Sequence, residues 1–227
     1  MSPSLETLAL VAFSGIAVLV LARIYRRDRA KLRALRGAVF EPAYPLFESY
    51  RVTQQSVDFP ELRGRYRGHD FHIDALVDMV TFRKLPSLWL RVSLLAPLPF
   101  RGTLDIMVRA QNVEFYSPAN DLDHAIEPPA NWPPGTIVKT DDPDGMPPAA
   151  LVAPHMSFFA APKAKEILMT PKGVRLVYQV DQGTRAEYLV LRSANFASPQ
   201  VTAEVMANLL DRAIALHADL ARGKAAS

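Results

Sequence analysis

The first apolar pattern along the chain is also the longest. Leu5 to Ala22 reads LETLALVAFSGIAVLVLA, in which only Glu6, Thr7, Ser14 and Gly15 are not plainly apolar. As a helix this run rises roughly 27 Å, and with Ile24 and Tyr25 it approaches the roughly 30 Å of a bilayer hydrocarbon core. The pattern predicts a transmembrane helix over residues 1–25. A cleaved signal peptide carries its basic residues before the apolar core, whereas here they follow it, as Arg23-Ile24-Tyr25-Arg26-Arg27; that order favours a retained signal-anchor over a processed leader or a buried core helix.

A basic helical stem and linker is predicted next, over residues 26–45. Nothing between Ile24 and Arg36 breaks a helix, and Gly37, Pro42 and Pro45 supply the stop. Ile24, Leu32, Leu35 and Val39 form a thin apolar stripe for a partner helix or for the chain's own domain.

From residue 46 to 222 the pattern changes to that of an α+β domain. Two strand-like runs between Leu62 and Val77, LRGRYR and DFHIDALV, meet at Gly68-His69 as a hairpin. Further strands are expected at Leu88 to Leu95, Thr103 to Arg109 and Val113 to Tyr116. A second hairpin is expected from Val174 to Val180 and Arg185 to Leu191. A mostly antiparallel sheet accommodates all of them.

Lys163 to Met169 reads as a short helix. Residues 199 to about 221 read as a long amphipathic one, with Pro199 at its start and Val201, Val205, Leu209, Ala213, Leu216 and Leu220 on one face. Packed against the sheet, this C-terminal helix completes the predicted fold, and residues 223–227 form a tail. Between strands and helices lies a proline-rich insertion, 117–148, expected to be irregular extended chain. Its Trp132 is either a partner-binding residue or a side chain that pins the insertion to the domain.

Composition changes this picture in two places. The chain has no cysteine, which excludes disulfides, thiolate catalysis and cysteine-ligated zinc. The net charge of +3 conceals a sharp segregation: Arg23, Arg26, Arg27, Arg29, Lys31, Arg33 and Arg36 face only Asp28 within residues 23–36, and the rest of the chain is slightly acidic. A near-neutral domain argues against nucleic acid as a partner. The basic segment predicts a domain on the cytoplasmic side and an N-terminus outside, at the inner membrane of a bacterial cell. It also supplies seven candidate contacts to anionic lipid headgroups, each worth about 1 kcal/mol near a charged surface.

Candidate chemistry is sparse. The sequence holds no phosphate-binding glycine loop, nucleophile elbow, HExxH motif or dinucleotide fingerprint, and it implies no cofactor. In a strand, Asp70, His72 and Asp74 share one face, where they form either a divalent-metal or proton-transfer site or a solvated face paired with Arg65 and Arg67. Asp141-Asp142-Pro143-Asp144-Gly145 has calcium-ligand composition, but turn chemistry explains the same run. His124 beside Asp121 and Asp123, and His155 near Ser157, lack a third member.

These readings favour a single-pass, membrane-anchored binding or scaffold protein with a protein partner. A metal-dependent enzyme using Asp70, His72 and Asp74, and a lipid- or small-ligand-binding domain, are the alternatives.

Overall fold

The computed structural model describes residues 5–78, 86–110, 114, 116–182, 196 and 199–223, apart from the side chains of 5–9 and 11. The chain begins with one continuous helix, α1, Leu5–Gly37. A 3-10 segment, Ala38–Leu46, follows, and its Val39, Phe40 and Ala43 are fully buried. Prolines at 42 and 45 exclude an α-helix there and are tolerated by the looser turns.

Nine strands follow: β1 Ser49–Thr53, β2 Glu61–Tyr66, β3 His69–Asp78, β4 Ser87–Leu94, β5 Leu104–Val108, β6 His124–Ile126, β7 Thr136–Thr140, β8 Ala164–Thr170 and β9 Gly173–Gln182. They form one sheet in the order β1-β2-β3-β4-β9-β8-β5-β7-β6, every neighbouring pair antiparallel. A short helix α2, Ala149–Val152, runs into a 3-10 segment at Ala153–Ala160, and α3, Ala203–Gly223, ends the described chain.

The inner face of the sheet is apolar because alternate residues of each strand point to it. Leu62, Phe71, Ile73, Leu88, Leu90, Val92, Leu94, Leu104, Ile106, Ile167, Met169, Val174 and Leu176 are almost wholly buried. Against them α3 lays Met206, Leu209, Leu210, Ala213, Leu216 and Leu220. Polar contacts at the rim fix its orientation: Tyr66 Oη donates to Asp211 Oδ1 at 3.0 Å, Arg67 lies 2.9 Å from the same carboxylate, and His155 Nε2 is 2.9 Å from Asp219 Oδ2.

The α+β class, the antiparallel sheet and the C-terminal helix agree with the sequence pattern; several details do not. The first hairpin turns at Arg67-Gly68 rather than Gly68-His69. Both turn residues have positive φ, 47° and 76°, the geometry of a two-residue turn that matches strand twist. Where a helix was expected over 163–169 the chain forms strand β8, Ala164–Thr170: Ile167 and Met169 face the inner core and Glu166 and Leu168 the outer face, so sheet context overrides helical propensity. Helix α3 begins at Ala203 rather than at Pro199, because Thr202 Oγ1 accepts the Val205 N–H as an N-cap.

The proline-rich insertion is not irregular throughout: it supplies strands β6 and β7 and a 3-10 turn at Ala119–Asp121. Arg185 to Leu191, and Val113 and Phe115 of the strand expected at Val113 to Tyr116, lie outside the described residues.

The largest correction concerns the N-terminus. Among the described residues, no helix is long and apolar enough to cross a membrane. Beyond Ala22 the unbroken helix α1 is basic. The transmembrane, single-pass and signal-anchor readings are therefore not supported, nor is the placement derived from them, with the N-terminus outside and the domain cytoplasmic.

Candidate functional site

Three places bring polar or exposed apolar chemistry together: α1, the β3 end of the outer sheet face, and the β8–β5 region toward its other end, under a covering segment.

In α1 the seven predicted headgroup residues divide into two groups. Arg29, Arg33 and Arg36 grip the β1–β2 connection: Arg29 donates to Ser56 Oγ, Arg33 to the carbonyls of Ser56 at 2.6 Å and Gln54 at 3.3 Å, and Arg36 to the carbonyl of Val57 at 2.9 Å. Gln54 returns the contact, donating from Nε2 to the carbonyl of Arg33 at 2.9 Å. The guanidinium of Arg36 lies 5.2 Å from the Phe59 ring centroid, and burial lowers its pKa. These contacts hold the C-terminal turns of α1 on the domain.

Arg23, Arg26, Arg27 and Lys31 stay exposed. Just before them Leu10, Phe13, Ile16, Val18, Leu19, Val20, Leu21, Ile24 and Tyr25 are all at least 50% exposed. Consecutive helical positions point about 100° apart, so Val18 to Leu21 make this stretch apolar on every side. A shallow, open hollow of about 640 Å³ is lined by Leu19, Val20, Ala22, Arg23, Arg26, Arg27 and Ala30.

On β3 the register puts Asp70, His72 and Asp74 on the outer face, as predicted, opposite Arg65, Arg63 and Glu61 of β2. Each has a charged neighbour. Asp74 receives three hydrogen bonds from Arg91 of β4, the shortest at 2.6 Å. Asp70 lies 4.0 Å from Arg65, and His72 Nε2 lies 3.5 Å from Glu61, an ion-pair separation without hydrogen-bond geometry. Arg67, expected to join this set, pairs with Asp211 instead. Among the described residues no group of three His, Asp or Glu is placed to hold a metal ion.

The remaining sequence candidates are structural. Asp142 Oδ1 accepts the N–H groups of Asp144 and Gly145 at 3.2 and 3.0 Å, and Asp141 Oδ1 accepts that of Thr103, so the Asp-Pro-Asp-Gly run is a turn. Trp132 is buried in the main core and its Nε1 has no hydrogen-bond partner. His124 lies on β6 beside the Ala119–Asp121 turn, and Ser157 accepts from Arg212 rather than meeting His155.

The β8–β5 region of the outer face holds a group absent from the sequence reading. Asp105 of β5 and Glu166 of β8 are 1% and 0% exposed. Arg175 of β9 donates to Glu166 Oε2 at 3.2 Å, and Ser117 Oγ donates to Asp105 Oδ2. The segment Tyr116–Asp121 covers them. Arg175 also donates to the carbonyl of Tyr116 at 3.1 Å, Lys139 Nζ to that of Ala119 at 2.8 Å, and the Tyr116 ring packs 4.8 Å from that of Trp89.

Burial, opposed by the Ser117 hydrogen bond and Arg175, pushes the Asp105 carboxyl up to about 6. Burial, then repulsion from Asp105, pushes Glu166 up to about 8. The Tyr116 phenol is driven upward by burial and by neighbouring carboxylates, so it stays neutral. Only the alternation of β8 could have revealed this pair, and a helical reading of 163–169 conceals it.

No known protein family and no curated protein sequence matches this chain. Among solved structures, the crystal structure of the mycobacterial trehalose monomycolate transport factor A, TtfA, is similar over 70% of each chain, at 13% identity and a TM-score of 0.35, a likeness too slight to carry an argument about fold or function.

Proposed function

We propose that this protein is a binding protein that takes up anionic lipid on α1, with its sheet domain as the rigid body so attached. The observation that carries the reading is the juxtaposition on α1 of an apolar stretch exposed on every side, Leu10 to Tyr25, with the exposed cations Arg23, Arg26 and Arg27. An apolar surface of this kind is unfavourable in water at about 25 cal/mol per Å², and acyl chains cover it without any directional requirement. The adjoining guanidiniums match phosphate oxygens, at about 1 kcal/mol for each near an anionic surface. The bonds of Arg29, Arg33 and Arg36 to residues 54–57 fix the helix to the domain, so lipid bound on one positions the other.

Flotation with vesicles of phosphatidylglycerol and of phosphatidylcholine tests this reading. Binding is expected to favour the anionic vesicles, to weaken with salt, and to fall roughly 100-fold in the triple variant Arg23→Glu, Arg26→Glu, Arg27→Glu. Equal binding to both vesicle types, or α1 covered by a stoichiometric protein partner with vesicles ignored, overturns it.

A further inference from the structure

Among the described residues, Asp105 Oδ1 and Glu166 Oε1 are both buried and find no hydrogen-bond donor, while the other oxygen of each carboxyl is engaged, Asp105 Oδ2 by Ser117 and Glu166 Oε2 by Arg175, and the two carboxyls lie within side-chain hydrogen-bonding reach of one another. Two ionised carboxylates can only accept, so neither free oxygen could satisfy the other. One proton between them satisfies both. It also matches the bonded charge: a pair carrying one proton has a charge of −1, which the hydrogen-bonded Arg175 balances, whereas the second negative charge of the fully ionised pair is met only through space by Lys139, whose ammonium is bonded to the carbonyl of Ala119.

We propose that Asp105 and Glu166 form a proton-binding site in which one shared proton keeps the Tyr116–Asp121 segment closed over the outer face of the sheet. The proposal is independent of lipid binding on α1. When the proton leaves to solvent the pair goes from −1 to −2, and opening the cover is the route by which water reaches the added charge. The segment's ties run through the same few groups: Ser117 donates to Asp105, Arg175 is shared between Glu166 and the carbonyl of Tyr116, and Lys139 holds the carbonyl of Ala119.

Other ionisable groups face the site from every side. Arg175 and Lys139 favour the ionised pair from β9 and β7. Glu114 and Asp78 stand on the side of Tyr116 and bear on the same region, and Lys165 lies 5.9 Å from the Trp89 ring centroid at the edge of the cluster. The cover encloses an apolar patch, Trp89, Met107, Ala119 and Val177, which opening would expose.

The test is amide hydrogen exchange of residues 116–121 in the full chain, corrected for the intrinsic pH dependence of exchange, from pH 5.5 to 9. In the wild type, protection should fall at least tenfold across this range. In Glu166→Gln, whose amide donates to Asp105 without a titrating proton, it should stay flat. Wild-type protection that does not change with pH, or a Glu166→Gln variant with the wild-type profile, overturns the proposal. Should that variant not fold, carbon-13 titration of the wild-type carboxyls decides: one proton retained above pH 6 supports the shared site, and full ionisation of both groups below pH 5 overturns it.

Discussion

The two ends of the outer sheet face carry the same residue types and use them in opposite ways. At the β2–β3 end, Asp70 and His72 meet Arg65 and Glu61 beside solvent, and the charges are spread over exposed or half-exposed side chains. At the β5–β8 end, Asp105 and Glu166 meet one arginine beneath the Tyr116–Asp121 cover and are shut away from water. The first set reads as the more promising in sequence because its members lie close together on one strand. The members of the second come from different strands, and burial under the covering segment pushes both of its carboxyls upward.

The severest way to break this comparison is to remove the cation at the buried end. Arg175→Ala leaves Glu166 and Asp105 without their counter-charge and should destabilise the fold by about 3–5 kcal/mol in urea unfolding at pH 8. A loss below about 1 kcal/mol would mean that the two ends are alike.

The pH dependence of stability sharpens the comparison at a smaller scale. Both buried carboxyls titrate above the values of 3.8 and 4.5 that they start from, at about 6 and about 8. Between pH 4 and 8 the folded state therefore holds more protons than the unfolded one. The stability from this pair is fully present below about pH 4 and is lost as pH rises through 6 to 8. Denaturant unfolding at successive pH values should show stability declining by a few kcal/mol between pH 5 and 8, a decline which Glu166→Gln should largely remove.

The exposed end should give the smallest effect. Asp70→Ala removes a partner 4.0 Å from Arg65 at a solvated position and should change stability by less than about 0.5 kcal/mol. A loss above about 1 kcal/mol at this position would mean that solvent exposure does not separate the two ends.

How far the sequence could be read follows the range of the interactions involved. The hairpin of β2 and β3 was legible because alternation and a glycine turn are local, and the turn was misplaced by a single residue. The face of α3 was legible for the same reason. Residues 163–169 were not: KAKEILM satisfies helical propensity, and only the neighbours β5 and β9 make a strand of Ala164–Thr170. The set of Asp70, His72 and Asp74 was found on one face, but Asp74 is buried, and Arg91, the partner that fully engages it, comes from another strand.

By itself the sequence determined the class of fold, the inner apolar face of most strands, the C-terminal helix, and the segregation of positive charge onto residues 23–36. Each is written in a period or a composition that a few consecutive residues express. The tertiary structure alone decided which arginines of α1 are spent on the β1–β2 connection and which stay exposed, that Trp132 is core, and that Asp105 and Glu166 lie together under a cover. Those outcomes depend on which distant segments exclude water from a side chain, and desolvation is a property of the assembled neighbourhood rather than of any stretch of chain.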